Sequence, residues 1–420
     1  MDFLKEDRVV EVLHQRCAGI DVHKKTVVVC VNIGGRSEVR TFGTTTKQLL
    51  AMLDWLLEQK VATVAMESTG VYWKPVWNIL EASECQPMLV NAHHIKQVPG
   101  RKTDVKDAEW IAQLLRLGLL RASNVPGRGQ RELQELVVFR RSLVQERART
   151  VNRAQKVLEG ANIKACSVVT DITGKSGMAI LEALCKGETD ASKMANLAVG
   201  RLVSKREQLE EALEGRMSLH QQFMLKVLLE SLKASNQQID QVDKEIEARL
   251  RPFAKEIELL DQIPGIATQG AQDILSIIGA DMSRYPSARH LASWLQLCPG
   301  NNRSADKQLR GKKRRGAPLG KVIMVQLAWP AIRTKGSYYE ALFKRLSARR
   351  GSKRAALAVA HSMVIAIYNI LSKRVPYAEL GGGFHDQINK EKVARNCVRR
   401  LHRLGYNVTL SEPPPLDLAS

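Results

Sequence analysis

The sequence predicts an α/β domain followed by an α-helical remainder, on three observations. Over residues 17–125, short apolar runs rich in β-branched residues alternate with amphipathic stretches of helical period, as in a layered sheet-and-helix domain. From about 126 to 255, long apolar stripes at helical spacing are interleaved with dense charge of both signs, the pattern of helical hairpins and coiled coils. Residues 256–380 keep the helical period but turn strongly basic. A chain of 420 residues that is 44% hydrophobic and 25% charged can build two or three cores.

"CAGIDVHKKTVVVCVNIGG" reads as two strands about a turn at His23–Lys25, ending at Gly34–Gly35. "TTTKQLLAMLDWLLEQ" reads as an amphipathic helix with threonines available as N-cap. "KVATVAMESTG" is a short buried strand running into a loop, "KPVWNILEASE" a helix and "QPMLVNA" a strand. "TDVKDAEWIAQLLRLG" is a helix that Thr103 would cap. The expected order is therefore β-β-α-β-α-β-α. Beyond it, Leu133, Leu136, Val137, Leu143, Val144, Val151 and Leu158 make one stripe, and Ile239, Val242, Ile246 and Leu250 another. This stretch, 126–255, is either a plain spacer or a spacer that also dimerises. Residues 381–420, with Gly381–Gly383 and Pro413–Pro415, read as a flexible tail.

Against 43 Asp and Glu stand 64 Lys and Arg, a formal net charge of +21. Such an excess concerns partners rather than fold, and its clustering points to nucleic acid, whose phosphates exchange small counterions for protein cations. The seven cysteines contain no C-x-x-C, so neither a zinc site nor a disulfide framework is indicated and a reducing compartment fits. No apolar run approaches the roughly 18 residues a membrane span requires, and "MDFLKEDRVVEVLHQR" is too polar for a signal peptide. No membrane partner is expected.

Four carboxylates in the first domain stand apart. Asp21 lies within the first apolar strand and Glu67 closes a later one, where a charge is costly to bury unless paired or metal-bound. Asp104 and Asp107, three apart, share a helix face. Taken singly, each helix aspartate is explained by the positive end of the helix dipole. Taken together, four hard oxygen donors suit Mg²⁺ or Mn²⁺, and a pair of such ions would clamp both oxygens of a phosphodiester displacement.

In the basic third piece, "LLDQIPGIATQGAQDILSIIG" resembles a helix-hairpin-helix, with Pro264 and Gly265 in a turn that offers backbone N–H groups to a phosphate. Ala267 stands where a second glycine is usual; the alternative is a packing element with no ligand. Downstream, Arg303, Lys307, Arg310, Lys312, Lys313, Arg314 and Arg315 surround Ser304 on a loop with one acid, Asp306. A serine amid cations is placed either to attack a phosphodiester or simply to contact a phosphate.

"GIDVHK", "AMESTGVYW" and "KTDVKDAEWIA" resemble the DEDD pattern of a RuvC-like, ribonuclease-H-type domain, and "LCPGNNRSADK" is similar to a "CPG-N-S-A-G-K" segment. With "AWPAIRTKGSYYEALFKRLSARRGSKRAALAVAHSM", three motifs over about 17–375 make the chain similar to insertion-sequence transposases with an N-terminal DEDD domain and a C-terminal serine transposase domain, the bridge-RNA-guided DNA recombinases. The changes in pattern along the chain divide it into 1–125, 126–255, 256–380 and 381–420. The resemblance implies Asp21, Glu67, Asp104 and Asp107 as catalytic metal ligands, and Ser304 as a nucleophile that forms a 5′-phosphoserine link to DNA. The family's glycine before the lysine is Asp306 here. Arg333, Lys335, Arg349, Arg350, Lys353 and Arg354 would be backbone contacts. Further implications are a transesterification that needs no high-energy cofactor and a structured guide RNA that pairs with donor and target DNA. A homo-oligomer, dimer or tetramer, would let the DEDD site and the serine loop act together from different subunits. The setting would be a bacterial or archaeal cytoplasm, at the nucleoid.

Two other readings remain open on the residues. One is a two-metal, structure-selective nuclease resembling Holliday-junction resolvases, with Ser304 only a phosphate contact. The other is a non-catalytic architectural protein that binds nucleic acid. "DITGKSG" at 171–177 is excluded as a nucleotide-binding loop, because Val169 stands where the motif's first glycine is required.

Overall fold

The computed structural model describes residues 12–68, 70–91, 107–298, 303–304, 307–308, 318–388 and 390–411. The chain divides into two units, Met1–Arg128 and Gly129–Ser420.

The first unit is a mixed five-stranded sheet between two helical layers. The strands are β1 (Arg16–Val22), β2 (Thr26–Ile33), β3 (Arg36–Gly43), β4 (Thr63–Glu67) and β5 (Gln86–Val90). Their order across the sheet is β3-β2-β1-β4-β5, with β1–β2 and β2–β3 antiparallel and β1–β4 and β4–β5 parallel. Helices α1 (Thr46–Glu58) and α2 (Trp73–Glu81) lie in the crossovers, and α3 (Asp107–Arg116) follows. Alternation along the strands feeds both layers. Ile20, Val22, Val27, Val29, Val64 and Met66 pack with α1 and α2. Cys17, Ala65 and Val90 pack with Ile111, Leu114 and Leu115 of α3 on the opposite face.

The observed order is β-β-β-α-β-α-β-α, so one strand more than expected is present. β3 escapes the apolar pattern because it is an exposed edge strand, and charged side chains such as Arg36, Glu38 and Arg40 are what such an edge tolerates. Arg40 sits 4.6 Å above the Trp55 ring. Thr45 occupies the N-cap of α1, but its side chain makes no capping hydrogen bond. Thr103, the expected cap of α3, lies outside the described residues.

In the second unit, α4 (Arg128–Gly160) and α9 (Leu219–Leu250) form an antiparallel pair. The direction follows from shared cores. Leu133, Val137 and Leu143 cluster with Val242, Ile246 and Leu250, whereas Ala154 and Leu158 cluster with Leu225, Leu229 and Leu232. Polar contacts run the same way: Arg249 with Glu132, Arg140 with Asp243, and Arg147 with Asn236. Val144, expected on the apolar stripe of α4, is exposed. The short helices α5 (Ala165–Val168), α6 (Lys175–Cys185), α7 (Ala191–Ala195) and α8 (Arg206–Leu213) wrap the far end of the pair.

The near end of that pair shares one core with the C-terminal helices. These are α10 (Ala254–Asp261), α11 (Thr268–Ile278), α12 (Ala288–Trp294), α13 (Leu319–Arg333), α14 (Tyr338–Arg350) and α15 (Ser352–Lys373). By length and composition α15 alone, among the described residues, could cross a membrane. Its Ala356, Val359, Ala360, Met363, Val364 and Ile367 are instead buried in that core, which makes it the central helix of the unit. Residues 381–420, expected to be a flexible tail, include α16 (Phe384–Ile388) and α17 (Lys390–Arg403). Gly381–Gly383 and the prolines punctuate only the ends of this segment.

Candidate active site and nucleic-acid interface

The carboxylates of the first unit are arranged by strand register. Ile20 pairs with Met66 across the parallel β1–β4 ladder, so Asp21 and Glu67 stand one step further, side by side at the carboxyl ends of the two strands. In open α/β sheets that end is where ligands bind. Both point toward the α3 layer, because Cys17 and Ala65, which share their strand faces, pack there. Asp107 is the first residue of α3, in the turn where the helix dipole favours negative charge.

Gly19 sets how close α3 can come. A Cβ built there would lie 2.3 Å from both the Ala108 carbonyl oxygen and the Ala112 amide nitrogen. The helix start therefore rests directly on the β1 backbone, two residues from Asp21. Sequence reasoning missed this glycine. Its only signal was an unbranched residue inside a β-branched run, which often marks close backbone approach.

His23 was also missed as a site residue. Its Nε2 lies 2.9 Å from Oδ2 of Asp21, with the carboxylate side chain 17% exposed and the imidazole 59% exposed. The turn that begins at His23 is closed by its own amide, which donates to the Thr26 carbonyl. His23 thus engages one oxygen of Asp21.

The structure brings Asp21, Glu67 and Asp107 to one end and one face of the sheet. Asp104 lies outside the described residues. Among the described residues, no three His, Cys, Asp or Glu side chains are close enough together to hold a metal ion. The donors present are nonetheless all carboxylate oxygens, the chemistry of a Mg²⁺ or Mn²⁺ site rather than a zinc or copper one.

In the second unit, α10 and α11 flank a turn at 262–267 in the manner of a helix-hairpin-helix. Gly265 has φ +84° there, and a Cβ on it would fall 2.3 Å from the Ala331 amide of α13. Close packing against α13 therefore accounts for the glycine. Thr268 Oγ1 donates to Oδ1 of Asp261 at 3.2 Å, tying the two helices across the turn. The same region carries a half-buried acid: desolvation pushes the Asp273 carboxyl above its usual range, against the opposing pull of Arg140 and Arg141.

Ser304 was expected on a loop. It lies on a short strand instead: β6 (Arg303–Ser304) pairs antiparallel with β7 (Lys307–Gln308), and Ser304 and Lys307 are register partners. Residues 305–306, with Asp306, lie outside the described residues. Arg310, Lys312, Lys313, Arg314 and Arg315 lie outside the described residues. Arg349 and Arg350 are exposed in the last turn of α14, where the helix dipole stabilises cations.

Two family models match. One, described as Transposase and of the DEDD type of the IS110 family, covers residues 18–163. The other, described as Transposase IS116/IS110/IS902 family, covers residues 257–344. No curated protein matches the chain. The first match spans the sheet that carries Asp21, Glu67 and Asp107, and the second spans the Gly265 turn and the Ser304 hairpin. The chain carries, in order, the two transposase domains of the IS110 family, and it is a DNA-cutting and DNA-rejoining enzyme of an insertion sequence.

Proposed function

We propose that this transposase cuts and rejoins DNA by transesterification through Ser304, with Asp21, Glu67, Asp104 and Asp107 as a divalent-metal site and a structured RNA as its guide. One observation carries the reading: Asp21, Glu67 and Asp107 come from two strands and a helix to the same end and face of the sheet. A metal drawn to that face would be approached by carboxylates from all three elements. Mg²⁺ or Mn²⁺ held there would supply Lewis-acid stabilisation of charge on the phosphate oxygens.

The protein's own part is to hold and orient. His23 holds one oxygen of Asp21, and the Gly19 contact sets the height of Asp107 above β1. At the hairpin, Ser304 Oγ forms a bond to phosphorus as the P–O3′ bond breaks. The serine proton goes to a base, and the departing 3′ oxygen leaves as a hydroxyl. Rejoining is the reverse, with a 3′ hydroxyl attacking the phosphoserine. The basic residues from Arg303 to Arg315 match the charge that develops on the phosphate. The guide RNA rests on the resemblance, to which the +21 charge is congenial.

The test is to incubate the full-length protein with nicked target DNA and Mg²⁺, then identify any DNA-linked peptide by mass spectrometry. A phosphodiester on Ser304, absent in Ser304→Ala, is expected. Cleavage at full rate by Ser304→Ala would instead favour the two-metal nuclease. RNA that copurifies and is required for joining would support the guided reading, and joining without RNA would remove it.

A further inference from the structure

Helix α17 lies beyond both transposase domain matches, which end at residues 163 and 344. It is strongly two-sided. Lys392, Arg395, Arg399 and Arg403 recur at i, i+3, i+7 and i+11, which at 3.6 residues per turn places them in one row. Val393, Ala394, Cys397, Val398 and Leu401 fill the opposite arc. Glu391 is the single acid in the helix.

Among the described residues the charges of the row have no acidic partner. All four cations are exposed. Among the described residues none of them forms an ion pair, and the side-chain hydrogen bond found is a weak one from Arg395 to the Glu391 carbonyl at 3.4 Å. The apolar arc is not equally open. After a left-handed turn at Gly405, φ +87°, the chain comes back so that Val408, Thr409 and Leu410 line one hollow with Val398, and Arg395, Arg399 and His402 border the same hollow. Val393, Ala394, Val398 and Val408 are half-buried. The returning chain thus borders Arg395 and Arg399 without pairing their charges, and all four cations stay exposed.

We infer that α17 is a nucleic-acid-binding helix that lays the row Lys392, Arg395, Arg399 and Arg403 along a duplex phosphate backbone. The inference rests on the chain's being a transposase, and adds a contact surface outside its two domains. The row is about 16 Å long, the axial rise of roughly five base pairs. Side chains that meet only phosphates give affinity and register without sequence preference, which suits an element outside the two matched domains.

The experiment measures the salt dependence of binding by the full-length protein. Duplex DNA of arbitrary sequence and the same sequence as duplex RNA are the probes. The variant replaces Lys392, Arg395, Arg399 and Arg403 by Gln, and circular dichroism confirms that it folds. Each phosphate contact contributes about 0.9 to the slope of log K against log salt, so the magnitude of the slope should fall by about 3 to 4. A fall with DNA alone, RNA alone or both supports the inference and identifies the backbone used. A slope unchanged within about half a unit overturns it. So does a loss confined to binding of phosphatidylserine vesicles, which would make α17 a lipid-surface helix. DNA linkage at Ser304 is read separately, so failure here leaves the serine chemistry standing, and failure there leaves this slope intact.

Discussion

Gly19 and His23 matter at this site for opposite reasons, one by having no side chain and one by lending its ring to Asp21. A methyl at Gly19 would meet the Ala108 carbonyl and the Ala112 amide, backbone atoms that cannot rotate away. Gly19→Ala should lift the start of α3 and cost about 1–3 kcal/mol in stability. It should also lower DNA cleavage by more than that stability loss explains, because Asp107 moves with the helix. Melting temperature and cleavage rate measured on the same preparation separate the two, and a folded variant with full cleavage would show that the helix height is immaterial. Asp21 and Glu67 stood out as candidates in the sequence, since an acid in an apolar strand is conspicuous. Gly19 and His23 did not, because a glycine's meaning depends on what approaches it and a histidine's on which oxygen it reaches.

At the scale of elements, the turn between α10 and α11 shows how one residue type serves two readings. The spacing of Pro264 and Gly265 suggested a phosphate-binding turn, and the fold sets Gly265 against the α13 backbone. Gly265→Ala is expected to destabilise the second unit by about 3 kcal/mol or more, adding backbone strain at positive φ to overpacking. Chemical denaturation followed by tryptophan fluorescence measures this, and a loss below about 0.5 kcal/mol would mean that the turn relaxes freely. The antiparallel pairing of α4 and α9 was foreshadowed by their two stripes. Period alone could not give its direction, which rests on which ends share a core. β3 and α17 lie at the other extreme. Both are rich in charge and nearly without buried residues, so apolar periodicity had little to register.

For the whole molecule, the net charge of +21 is a property no local motif reveals, and it makes every measurement of nucleic-acid binding steeply salt-dependent. Stability of the second unit carries its own pH dependence. Burial, with Arg289 beside it, lowers the His361 pKa below its ordinary value of 6.5. The unfolded chain therefore binds a proton more readily than the folded one. Stability is full above the unfolded value and is lost as pH falls through it. His361→Gln should flatten the drop in melting temperature between about pH 7.5 and 5, with little change at the upper end. An unaltered drop would assign the acid sensitivity to other groups.

The sequence by itself determined the α/β-then-α layout, and it singled out four candidate acids in the first domain and the basic stretch around Ser304. These are written in period, in charge and in residue types that are costly to bury, all local properties of a chain. Only the tertiary structure decided that Asp21 and Glu67 are neighbours across a parallel ladder, that α3 sits within backbone contact of β1, and that Gly265 answers to α13. It also decided that α15, apolar enough for a bilayer, is buried at the centre of the second unit's core. The reason is physical: register, close approach and burial are relations between residues far apart in the chain, fixed only when packing chooses among the arrangements a local pattern allows.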